Sequence, residues 1–158
     1  MSKLKQYLPL IVLVGLSFLA ALAIHTRPVE PGLMPTFMGL FLVIFSMFKF
    51  FDLAGFAKGF AKYDLLAMRA KPYGFIYPFF EAGLGLAYLN VFQPKWTNIF
   101  VLVLMSFGTL GVVNALRKGL DLRCACLGTT LNVPLSTVAI VENVTMSVMA
   151  ACMLAGLM

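Results

Sequence analysis

The stretch MPTFMGLFLVIFSMFKFF, Met34 to Phe51, carries a single charge, Lys49, among Phe, Leu, Met, Val and Ile. Wound as an α-helix at 1.5 Å per residue it is about 27 Å long, close to the thickness of a bilayer's hydrocarbon core. Four further apolar stretches flank it: Tyr7–Ile24, Phe75–Phe92, Asn98–Leu116 and Val133–Leu157. Turn and cap residues separate them, at Arg27-Pro28 to Pro31-Gly32, at Gln93-Pro94-Lys95 and at Gly128-Thr129-Thr130. None shows the alternation of a membrane β-strand. The pattern predicts an all-α membrane protein with five transmembrane helices in a single integral membrane domain.

Composition agrees. The 158 residues are 61% hydrophobic and 11% charged, against about 45–50% and about 25% in soluble domains. A soluble globule of this size could not hide so much apolar surface. A nucleic-acid-binding domain, a secreted disulfide scaffold and a large soluble catalytic domain are excluded. The net charge of +6 is that of loops facing the cytoplasm. With the N-terminus inside, Lys3, Lys5, Lys58, Lys62, Arg69, Lys71, Arg117, Lys118 and Arg123 all fall on the inner side, and only Arg27 and Lys95 fall outside. This bias predicts a multi-pass protein of the bacterial inner membrane with an extracytoplasmic C-terminus. Lys3 and Lys5 before an apolar run, with Ala21-Leu22-Ala23 near its end fitting a cleavage site, outline a signal peptide. The run is long for one, and we read it as a retained signal-anchor helix. Residues 56–74 mix basic and apolar side chains, as a cytoplasmic loop or an amphipathic helix on the inner leaflet would. A short echo, Lys58-Gly59-Phe60 and Lys118-Gly119-Leu120, follows the second and fourth stretches. Each is followed by a proline, Pro78 or Pro134, and then a glutamate, Glu81 or Glu142.

The sharpest chemical signal is Cys124-Ala125-Cys126. Thiols one residue apart can form a strained, easily reduced disulfide, exchange disulfides with a partner, or hold a soft metal as thiolates. Arg123 beside them and the start of the fifth helix favour the thiolate. The third cysteine, Cys152, sits about 26 positions further on, on the order of 30 Å along a helix, and reads as an apolar packer.

Charges inside the spans come next. Lys49, Glu81 and Glu142 lie within helices, with Asp52 close by and Asn114 near the end of the fourth helix. The topology puts them in the inner half, under the cysteine loop. A buried acid needs a partner, and Lys49 is the intramembrane cation, so a Lys49–Glu81 or Lys49–Glu142 pair is expected. These residues either glue helices together or support the thiol site. Tyr77, Glu81, Gly85 and Tyr88 form one helical stripe, and Glu142, Thr145, Met149, Cys152 and Gly156 form another. Such spacing suits a packed face. With Cys124 and Cys126, the side chains Met149, Cys152 and Met153 would also make a soft-metal path. His25 is the only histidine, so no histidine-based haem or zinc cluster is available. A quinone would need no short motif.

Three segments resemble the MauE/DoxX family of redox-associated bacterial inner-membrane proteins: Phe48-Lys49-Phe50-Phe51-Asp52-Leu53-Ala54-Gly55-Phe56, Tyr77-Pro78-Phe79-Phe80-Glu81-Ala82-Gly83-Leu84, and Cys124-Ala125-Cys126-Leu127-Gly128. The stretch from Val133-Pro134-Leu135-Ser136 to Glu142-Asn143 is similar too. The resemblance implies a DoxX-like four-helix bundle, here with an added N-terminal helix, and a role in thiol redox or maturation of partner proteins. MauE proteins are associated with maturation of a disulfide-containing periplasmic enzyme. The charge bias puts Cys124 and Cys126 on the cytoplasmic side, where a thioredoxin- or glutaredoxin-like partner fits better. The alternatives are a soft-metal transporter and a non-catalytic assembly factor.

Overall fold

The computed structural model describes residues 32–119 and 135–156, together with residues 14, 15, 17 and 18; the side chains of Lys71 and of residues 135–138 are not among those described. The described residues are all-helical, with no strand. Five helices run in chain order: α1 (Leu33–Phe51), α2 (Leu53–Phe60), α3 (Lys71–Leu89), α4 (Pro94–Arg117) and α5 (Leu135–Leu154). Of these, α1 and α4 are long and apolar enough to cross a membrane, and the apolar part of α5, Ala139–Leu154, is shorter. The stretch 7–24 lies largely outside the described residues. Val14 packs on the core, and the Phe18 ring meets Phe37 edge-on at 6.2 Å.

Between α1 and α3 the structure departs from the expected loop. The chain breaks at Asp52, which has φ −139° and ψ 65°, so α1 ends at Phe51. The Asp52 carboxylate accepts the Gly55 backbone N–H at 2.9 Å, satisfying one of the orphan donors at a helix start. A Cβ on Gly55 would run into that carboxylate. The cap starts α2, whose Phe56 stacks on Tyr77 of α3 while Phe60 meets the same ring at a tilt. Residues 56–74 are therefore a helix end, a run of turns and the start of α3, rather than one loop or one surface helix.

Asp64 holds the turns. It is buried and accepts from Leu66 N–H at 2.9 Å and Ala67 N–H at 2.8 Å. Burial pushes its carboxyl above the usual value, and the two backbone donors pull it part of the way back. A raised folded-state value means that its contribution to stability is full below the unfolded value and declines as pH rises through the folded one. Asp64→Asn keeps an acceptor and does not titrate. The stability of wild type relative to Asp64→Asn is therefore expected to fall as pH rises from about 4. Asp64→Ala loses the acceptor at every pH and is expected to cost about 1–2 kcal/mol. Thermal unfolding of the detergent-solubilised variants across that pH range checks both.

Two helical hairpins make the body: α3 packs along α1, and α5 along α4. Backbones touch in the first hairpin, where Gly39 faces the Gly85 carbonyl. One apolar cluster joins Met38, Phe41, Leu42, Phe45, Tyr88, Val101, Met105, Met146 and Ala150 across all four long helices. A second gathers Phe56, Phe60, Tyr63, Tyr77, Val112 and Ala139 nearer the other end. The distribution of polarity is inverted relative to a soluble protein. Lys49, Glu81 and Glu142 are buried, while Phe51, Phe79, Phe80, Trp96 and Phe100 are each more than half exposed. In water such a surface would be an aggregation hazard; in hydrocarbon it is the favoured arrangement.

Candidate functional site

Three elements converge on one ammonium group. Lys49 lies in the last turn of α1, where the carbonyl-rich helix end favours a cation. Its Nζ donates to both carboxylate oxygens of Glu81 on α3, each at 2.6 Å, and to Glu142 Oε1 on α5 at 3.3 Å. Glu81 is fully buried and the other two nearly so. The ammonium also sits 5.7 Å from the Phe45 ring centroid, 5.5 Å from Phe56 and 5.3 Å from Tyr77, within range of the ring quadrupoles. Beside the cluster is a cavity of about 20 Å³ bordered by Lys49, Tyr63, Tyr77, Glu142 and Asn143, large and polar enough for a single water.

Local sequence explains the convergence. The stripe Tyr77, Glu81, Gly85 and Tyr88 is the buried face of α3. Pro78 interrupts the backbone ladder of that helix one turn before Glu81, an interruption that membrane helices tolerate when neighbours cover it. On α5 the buried face is Ala139, Glu142, Asn143, Met146 and Ala150, with Thr145 and Gly156 exposed. That face is rotated from the expected Glu142–Thr145–Met149–Cys152–Gly156 stripe.

The other candidate residues fall elsewhere. Asp52 caps α2 and is exposed. Asn114 lines a separate cavity with Arg69 and Lys118. Met149 and Met153 border an apolar cavity of about 640 Å³ at the far end of the bundle, together with Met34, and Cys152 is not among its lining residues. Arg123, Cys124 and Cys126 lie outside the described residues. Among the described residues no group of three or more His, Cys, Asp or Glu is placed to hold a metal ion. Sequence reasoning missed Phe56, Tyr63 and Asn143 as neighbours of the ion cluster. Asn143 had a readable signal, a second polar residue adjacent to Glu142 in an otherwise apolar helix.

The chain from residue 31 to 156, which covers every described helix, matches the family model of methylamine utilisation protein MauE. The chain belongs to the MauE family. This is a family of membrane proteins linked to methylamine dehydrogenase maturation, in keeping with the inside-out polarity. No curated protein and no solved structure matches the chain significantly.

Proposed function

We propose that this MauE-family protein is a thiol–disulfide exchange protein of the bacterial inner membrane that supports maturation of partner proteins through Cys124 and Cys126. Five crossings, a DoxX-like four-helix bundle with an added N-terminal helix, and a cytoplasmic cysteine loop belong to the same proposal. The observation that carries it is the Lys49–Glu81–Glu142 cluster. Ionisable groups inside a membrane bundle are costly and mark functional sites by default, and an apolar trio of similar volume would hold the helices at least as well. Glu142 lies seven residues into α5, about 10 Å from the point where the chain arrives from the cysteine segment. The cluster would form a rigid, charged floor beneath the exchanging thiols.

In the exchange, the Cys124 thiolate attacks a partner disulfide, forming a mixed disulfide and releasing one partner thiolate. Cys126 then attacks Cys124, closing the C-x-C disulfide and freeing the reduced partner. Run backwards, the same steps oxidise a partner dithiol. Cys126→Ser removes the resolving thiol, so a mixed disulfide through Cys124 is expected to accumulate, visible as a reductant-sensitive mass increase on non-reducing gels. Full function of the Cys124→Ser/Cys126→Ser variant with no trapped species would reduce the protein to a non-catalytic assembly factor.

A second reading has one observation in its favour. Met34, Met149 and Met153 bring three thioethers to one cavity, and thioethers suit soft cations. Soft-metal uptake that requires both loop cysteines and these methionines, with no mixed disulfide, would favour metal handling over exchange.

A further inference from the structure

At the end of the bundle opposite Lys95 and the methionine cavity lies an unassigned cavity of about 520 Å³. Its wall is amphiphilic: Leu66, Met68 and Phe107 supply apolar surface, and Arg69, Asn114 and Lys118 supply donors. Neither Arg69 nor Lys118 has a carboxylate partner among the described residues. The three apolar side chains are each between 44% and 53% exposed, so exposed apolar surface lies next to two cations with no carboxylate partner among the described residues.

The cavity is built rather than incidental. One wall is the run of turns at 64–70, fixed from within by the Asp64 hydrogen bonds to Leu66 and Ala67. That wall is seated on α4 at Gly111, where an added Cβ would stand 2.8 Å from the Tyr63 carbonyl oxygen. The absence of a side chain at Gly111 lets the turns approach the helix and sets Arg69 across from Lys118. A planar guanidinium, an ammonium and a carboxamide converging on one space match a phosphate. The apolar side chains on the same wall match the glycerol and first methylenes behind it.

We propose that this cavity is a binding site for the headgroup of an anionic phospholipid, with Arg69, Lys118 and Asn114 on the phosphate and Leu66, Met68 and Phe107 against the acyl end. The site shares no residue with the ion cluster. It would pin the turn region to one leaflet and fix the depth of the bundle.

The test uses the full-length protein in a neutral sugar detergent, titrated with phosphatidylglycerol, with bound lipid counted by native mass spectrometry. Each cation near an anionic headgroup contributes on the order of a several-fold gain, so Arg69→Gln/Lys118→Gln is expected to weaken phosphatidylglycerol binding about 30-fold. Lys58→Gln/Lys62→Gln removes the same charge from the same end but outside the cavity, and is expected to change it less than threefold. Leu66→Ser/Met68→Ser should also weaken lipid binding, and phosphatidylcholine should bind no variant measurably. Equal weakening by the two charge-removing variants would mean diffuse attraction to a basic surface and would overturn the site. Displacement of the lipid by millimolar inorganic phosphate or glycerol phosphate would identify a free-anion pocket and overturn the lipid assignment. An unchanged unfolding midpoint without lipid confirms that the variants fold.

Discussion

Replacing Lys49 with methionine is expected to lower stability by about 3–5 kcal/mol, the cost of breaking a buried ion pair from one side. Methionine keeps most of the length of the lysine side chain and loses the ammonium that faces the Phe45, Phe56 and Tyr77 rings, so the loss does not come mainly from a cavity. It comes from the Glu81 and Glu142 carboxylates, left buried close together without the ammonium between them. Their geometry orders the single variants. Glu81 makes two contacts at 2.6 Å and Glu142 one at 3.3 Å, so Lys49→Met should cost most, Glu81→Gln less and Glu142→Gln least. Lys49→Met combined with Glu81→Met removes a cation and an anion together and should recover part of the loss, since apolar replacement of a whole buried pair is often neutral. Thermal unfolding midpoints in detergent measure the series. A Lys49→Met variant within about 1 kcal/mol of wild type would show that the carboxylates find water or another cation, and the floor proposed for the thiol site would fall with it.

The ion cluster was legible in the sequence because the physics that forms it is local and severe. A charge within an apolar run must turn inward and find an opposite charge, and the positive-inside bias put all three residues in the same half of the bundle. Both candidate pairs, Lys49–Glu81 and Lys49–Glu142, form at once, which a pairwise argument does not foresee. The inner face of α3 was legible for a related reason, since Tyr77, Glu81, Gly85 and Tyr88 hold to one helical period. The α5 stripe misled because hydroxyl residues carry little directional information. Thr109 on α4 shows why: its hydroxyl donates to the Met105 carbonyl one turn back, at 2.8 Å, and a threonine satisfied by its own helix has no need of the interior. Helix α2 was hidden by continuity of hydropathy. The sequence runs from Phe51 to Phe56 with one interruption, and only the capping geometry of Asp52 decides that α1 ends there.

The second large effect is expected where α1 and α3 touch. Gly85→Ala should destabilise the protein by about 1–3 kcal/mol, the usual cost of forcing atoms into a filled interior, and Gly85→Leu by more. A Cβ on Gly85 would stand 2.8 Å from Val43 Cγ2, 2.9 Å from the Gly39 carbonyl oxygen and 3.0 Å from the Val43 backbone nitrogen. Two of these three are backbone atoms, which cannot rotate aside as a flexible side-chain end can. Reciprocally, a Cβ added at Gly39 would stand 2.8 Å from the Gly85 carbonyl oxygen, so relief requires the helices to separate. Close approach through small residues is a common means of holding helices together in a bilayer, where no hydrophobic force drives them together. Gly83, two residues away on the same helix, is the internal control. It is exposed, and an added Cβ there meets nothing within 4 Å, so Gly83→Ala should gain up to about 1 kcal/mol from helix propensity alone. One helix should thus answer the same chemical change with opposite signs two residues apart. Gly85 lies one turn from Glu81, about 6 Å along the axis, so separating the helices there also draws Glu81 away from Lys49. The Gly85→Ala and Lys49→Met losses should therefore sum to more than the loss of the double variant, because once the ion pair is gone the separation has less left to break. Strict additivity, or a stability change of the same sign and size at Gly83 and Gly85, would mean that the two backbones do not meet as described and that the ion cluster is held from α5 instead.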